Sequence, residues 1–207
     1  MKTYDYAYIH IHGGRAQTLE EYMAYLKKES YTKSAPQQKI REWMYFSLPE
    51  NYDVHIPEMP LKYMADYNLW KMYFEKILQS ITAEKIILVG ESLGAAFLLK
   101  YLATEDYEYP ITQIHLIATP LGKWADQEVS GLSDFALSQK DILNFSHSGI
   151  TLHLYHSSDD EVVPISHTRQ LSELLPFAHV HYFIDRGHFY KETEFPELLR
   201  EVLRGER

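Results

Sequence analysis

Apolar and polar positions alternate between two periods along this chain, and the switches mark its elements. Tyr4 to His12 alternates, with Ala7, Ile9 and Ile11 on one side and Tyr6, Tyr8 and His10 on the other. That period of two predicts a strand. Gly13-Gly14-Arg15 follows as a turn, and Leu19 to Glu29 then takes helical spacing through Leu19, Tyr22, Met23 and Leu26, with Thr18 placed to cap it. Gln37 to Phe46 reads as a short helix, Tyr52 to Ile56 as a second strand, and Asp66 to Ser80 as a helix with a broad apolar face. Ile86 to Val89 is an uninterrupted, β-branched-rich run, the signature of a strand covered on both faces, and helical sequence resumes from Leu93. Further strands are predicted at Ile111 to Ala118, Ile150 to His156 and His179 to Ile184, with helices at Leu132 to Leu143, Ile165 to Leu175 and Glu194 to Arg204. Strands alternating with helices predict a three-layer α/β/α sandwich around a mostly parallel six-stranded sheet. Its ligands would bind beyond the carboxyl ends of the strands.

At 207 residues, the chain has the length of one domain spanning 1–207, with residues 121–149 left open between a small cap-like segment and core. The 20 basic side chains stand against 29 acidic ones, a formal charge of -9, which argues against nucleic acid or an anionic membrane as partner. Cysteine is absent, so thiolate metal sites and cysteine nucleophiles are excluded. The N-terminal stretch carries no apolar signal core, and no apolar run approaches the ~18 residues that span a bilayer. A cytoplasmic protein is expected. Its oligomeric state is not legible in the sequence.

Chemistry-bearing residues gather where strands are predicted to end. Gly90-Glu91-Ser92-Leu93-Gly94 fits the G-x-S-x-G turn, in which a serine is held out between a strand and a helix. The fifth strand runs into Ser157-Ser158-Asp159-Asp160-Glu161-Val162-Val163-Pro164, and the sixth into Asp185-Arg186-Gly187-His188-Phe189. Taken singly, each polar residue reads as ordinary surface. Taken together, a serine, an acid and a histidine follow three parallel strands in the chain order of a Ser-acid-His triad. Ser92 would be the nucleophile and His188 its base, with either Asp159 or Asp160 orienting the imidazole. A tetrahedral oxyanion would need two backbone donors, assigned to the N–H groups of Leu93 and Gly14. Gly13, Arg15, Trp124, Val162 and Phe189 are the candidate substrate contacts. His10 and His12 share one strand face and could form half of a metal site, but the other histidines show no i, i+4 pairing to complete it. No metal site is assigned.

His12-Gly13-Gly14, GESLG, DDEVVP and GHF together resemble the α/β-hydrolase superfamily over nearly the whole chain. The short length is similar to the small, nearly lidless serine hydrolases related to retinoblastoma-binding proteins. That resemblance implies a sheet order of 2-1-3-4-5-6, no cofactor, and Asp160 as the acid, from its distance to Pro164. It implies a carboxylesterase acting on a small-molecule ester, with thioester or amide cleavage as the nearest variant. A binding protein on a silent hydrolase scaffold is the alternative from another class. Two departures stand out: the stretch from Ser30 to Glu50 is longer than a minimal connection, and Glu91 occupies a position where many relatives carry histidine.

Overall fold

A computed structural model describes residues 3–29, 39–125, 129–145 and 149–205. Its six strands are β1 (Tyr6–Ile11), β2 (Tyr52–His55), β3 (Lys85–Glu91), β4 (Ile111–Ile117), β5 (Thr151–Ser157) and β6 (His179–Phe183). They form one sheet in the order β2-β1-β3-β4-β5-β6, and every pairing is parallel. The order is the one the family resemblance implies, and the sheet is more uniform than the expected "mostly parallel". The helices are α1 (Leu19–Lys28), α2 (Ile40–Ser47), α3 (Tyr67–Ser80), α4 (Leu93–Thr104), α5 (Gln139–Leu143), α6 (Ile165–Leu174) and α7 (Pro196–Arg204).

The alternation read in β1 and the unbroken apolar run read in β3 divide their side chains between two cores. Ala7, Ile9, Ile11, Ile86 and Leu88 meet α3, α4, α5 and α6 on one face. Tyr6, Tyr8, Ile87 and Val89 meet α2 and α7 on the other. Trp70, Phe74, Phe97 and Phe135 pack edge to face in the first core, with Trp70 and Phe135 centroids 5.1 Å apart. Among the described residues, no helix is long and apolar enough to cross a membrane.

One sequence expectation needs correction. The helix expected over 132–143 is a 3-10 turn at Ser133–Phe135 followed by the separate α5. Ser138 starts α5 afresh: its hydroxyl accepts from Asp141 N–H, while the Asp141 carboxylate accepts from Ser138 N–H. A local cap there outcompetes a continuous helix. Within 121–149, Leu132, Phe135, Leu137, Ile142 and Phe145 are buried in the first core, while residues 129–132 border a space beside Ser92. Residues 126–128 and 146–148, like the start of the expected helix at Gln37, lie outside the described residues.

Candidate active site

Strand β3 turns into α4 at Ser92, whose φ of 51° and ψ of −117° are costly for a residue with a side chain. Neighbouring glycines make the turn feasible. A Cβ on Gly90 would lie 2.7 Å from the carbonyl of Gly94, and one on Gly94 would lie 2.5 Å from the Ile11 oxygen. The backbones of β1, β3 and α4 therefore approach where only hydrogen atoms fit. Ser92 N–H donates to Ile117 O at 2.8 Å, which fixes the turn to β4.

The Ser92 hydroxyl meets His188 Nε2 at 2.9 Å, and His188 Nδ1 meets Asp160 Oδ2 at 2.7 Å. An ionised carboxylate only accepts, so the ring proton sits on Nδ1 and Nε2 is left to accept from the serine. Asp160 is held from several sides. Its Oδ1 accepts from Val162 N–H at 2.8 Å and Val163 N–H at 2.9 Å, and buried His156 lies 3.4 Å from Oδ2. Burial opposes ionisation of this carboxyl, but the hydrogen bonds from His156, His188 and Val163 N–H outweigh it and hold it well below the usual carboxylate range.

Asp159, the rival acid, does something else. It accepts from Ser157 Oγ and, at 3.0 Å, from Gly187 N–H, so it ties the turn before His188 to the end of β5. Arg186 braces the same loop: it pairs with Glu197 at 2.8 Å and lies over the rings of Phe183 and Phe195.

Opposite this chain of polar groups lies the turn after β1. His12 Nδ1 is 2.6 Å from Gly13 O, and its Nε2 accepts from Met59 N–H at 2.8 Å. Burial lowers the pKa of His12, which favours this neutral form. Because a trans peptide sets C=O and N–H on opposite sides, holding Gly13 O toward His12 turns Gly14 N–H the other way. Among the described residues, neither Gly14 N–H nor Leu93 N–H has a hydrogen-bond partner. His10 lies between Tyr8 OH at 2.9 Å and Glu91 Oε1 at 2.8 Å, so it serves a buried polar network. The carboxyl of half-buried Glu91 is held below its ordinary value, because His10 and then Arg41 stabilise its anion.

Ser92 opens onto two cavities. The larger, about 440 Å³, is lined by Gly13, Gly14, Arg15, His188 and Phe189 among others. The smaller, about 180 Å³, is lined by Gly14, Arg15, Leu93, Val162 and the stretch 129–132. Nine of the ten sequence candidates thus have a place here: Ser92, His188, Leu93, Gly13, Gly14, Arg15, Val162 and Phe189 line a cavity, while Asp160 stands behind His188. Trp124 does not join them. Its indole N–H donates to Leu137 O and its ring packs on the first core, lining neither cavity. Arg41, His12 and Asp159 were not singled out for these positions. A basic residue in an apolar helix carries no distinctive spacing, and the His12-Gly13-Gly14 run marks a turn without saying what its imidazole bonds.

A model of the family described as serine hydrolase matches residues 30–201. No curated protein sequence matches. Several solved structures resemble this one in fold. The ydeN gene product of B. subtilis is 18% identical, with 97% of each chain covered and a TM-score of 0.63. A meta-cleavage product hydrolase from Pseudomonas fluorescens IP01 is 16% identical over 97% of this chain and 89% of its own, with a TM-score of 0.62. The esterase domain of a Rhodothermus marinus protein is 15% identical over 97% and 85%, with a TM-score of 0.57. At such identities the likeness speaks for the α/β-hydrolase fold alone.

Proposed function

The chain belongs to the serine hydrolase family, and on that premise we propose that it cleaves a small carboxylic ester through an acyl-enzyme on Ser92. The observation that carries this reading is the unbroken line from Asp160 through His188 to the Ser92 hydroxyl, at 2.7 and 2.9 Å, ending at a cavity. Ser92 Oγ attacks the ester carbonyl carbon as His188 Nε2 takes its proton. Asp160 keeps the ring in the tautomer that can do so and stabilises the imidazolium. The carbonyl oxygen becomes an oxyanion, for which the unpartnered N–H groups of Leu93 and Gly14 are the donors. Such a donor lowers the barrier by about 3 kcal/mol. Collapse breaks the bond to the alcohol oxygen, which takes the proton from His188. Water then attacks the acyl-enzyme with His188 again as base, releasing the acid and restoring Ser92.

A fluorophosphonate probe together with 4-nitrophenyl esters of graded chain length tests the proposal. Labelling and turnover that disappear in Ser92→Ala are expected, and a folded wild type that shows neither would refute it. Asp160→Asn should lower kcat on the order of 10³- to 10⁴-fold by imposing the wrong tautomer. Asp159→Asn should cost far less, because it weakens only the bonds from Ser157 Oγ and Gly187 N–H, and neither touches the His188 ring. Near-full activity in Asp160→Asn would transfer the acid's role elsewhere.

A further inference from the structure

The larger cavity carries a charge imbalance that hydrolytic chemistry at Ser92 leaves unexplained. Four basic side chains line it, Arg15, Lys39, Arg41 and Lys62, against the acidic Glu91 and Glu192. Both acids are engaged: Glu91 with His10 at 2.8 Å, and Glu192 with Arg186 at 3.4 Å. Most of the bases are not. Lys39 Nζ donates to Tyr190 O at 3.0 Å, Arg15 lies 5.6 Å from the Tyr25 ring centre, and Lys62 lies 5.9 Å from that of Tyr63. Among the described residues, none of these three forms a salt bridge. The whole chain has a formal charge of -9, so this lining is no by-product of a basic protein.

Arg41 is the decisive member, because it is only 8% exposed. Its Nη2 pairs at 2.9 Å with Glu58, whose side chain is largely in solvent. Its Nη1 is buried and has no hydrogen-bond partner among the described residues. A buried charged donor without an acceptor is costly. Arg41 lines the cavity, so an anionic oxygen drawing its guanidinium toward that space would offset the cost. Glu91, next to the nucleophile, disfavours the reversed placement in which the anion sits at Ser92.

We propose that the ester taken by this site carries a carboxylate remote from the bond that breaks, received by buried Arg41 with Lys39 and Lys62 drawing it in. The proposal rests on the hydrolase reading and names the substrate class for the same site. The unpartnered Nη1 of Arg41 suits one carboxylate oxygen.

Two substrates of matched length separate charge from size: mono(4-nitrophenyl) glutarate and 4-nitrophenyl pentanoate. At low ionic strength, wild type should favour the glutarate ester at least ~10-fold in kcat/KM, with the preference shrinking as salt screens the field. Arg41→Gln should bring the ratio close to one. Lys62→Gln, a partly exposed position, should lower it about threefold and serves if Arg41→Gln fails to fold. A wild-type ratio near one overturns the proposal, while Ser92-dependent turnover of the pentanoate ester would leave the hydrolase reading standing. If neither ester is cleaved, that reading fails, and calorimetric titration of Ser92→Ala with glutarate still decides the anion site. Binding that is lost in the Ser92→Ala, Arg41→Gln double variant supports it, and absence of binding to the folded protein overturns it. Tighter binding of inorganic phosphate than of glutarate would overturn the carboxylate assignment.

Discussion

Helices α4 and α1 both reach the rim of the candidate site, yet α4 buries nine of its twelve residues and α1 buries none. Helix α4 lies over the sheet with Gly94 against the backbone of β1, and Leu93, Phe97 and Leu98 sink into the core. Helix α1 has the apolar spacing of a core helix, but Leu19 is 62% exposed and Leu26 53%. Its order is local. Thr18 and Glu21 close a capping box, acidic residues open the helix, and Lys27 and Lys28 end it. Its packing runs through aromatic contacts at the cavity rim, with Tyr22 stacked on Tyr63 at 5.7 Å. Helical spacing establishes that a helix forms. Whether a sheet face stands behind it is a separate matter, settled by the connections.

Changes in α4 should therefore register globally, and changes in α1 locally. The largest effect is expected from Gly94→Ala, where a Cβ would sit 2.5 and 2.6 Å from the Ile11 and His12 oxygens. Backbone atoms cannot swing aside, and a loss of about 3 kcal/mol or more is expected in urea denaturation. An unchanged midpoint would show that α4 is not docked as described.

Acid provides a milder probe of the buried half. Burial, together with repulsion from His181 and His179, pushes His153 down to about 4, and buried His115 is also held well below its ordinary 6.5. The unfolded chain binds these protons more readily than the folded one. The His153 contribution should lower stability as pH drops from 6.5 to about 4, by on the order of 2 kcal/mol, and be complete there. Below that, the depressed carboxyl of Asp160 and buried His115 continue the loss. Hydrogen exchange of the core amides should report that loss while exchange in α1 changes little. Parallel changes in both would erase the distinction between the helices. The smallest effects belong to α1: Leu26→Gln should stay within ~0.5 kcal/mol of wild type in urea. Thr18→Ala should loosen the first turn of α1 by about 1 kcal/mol in hydrogen exchange, without moving the global midpoint.

The same division explains what the sequence disclosed. Strands β1 and β3 were legible because burial on both faces leaves an alternating or continuous apolar run, and the turn at Ser92 because its glycines answer to steric contacts a few residues away. Trp124 was misplaced because an aromatic side chain reads alike whether it faces a ligand or Leu137 O. Asp159 and Asp160 are neighbours whose separate tasks depend on loops that meet only in the fold. Arg41 was invisible for the same reason: its neighbours come from the turns after β1 and β2 and from the loop beyond β6. Spacing along the chain records local rules, and positive charge gathered from three separate segments leaves no such record.

Ser92 stands where spaces of about 440 and 180 Å³ meet, so the two halves of a cleaved molecule need not share one exit. On the proposed chemistry, the alcohol can depart through one doorway while the acyl fragment remains tethered in the other. The emptied passage then admits the water that releases it.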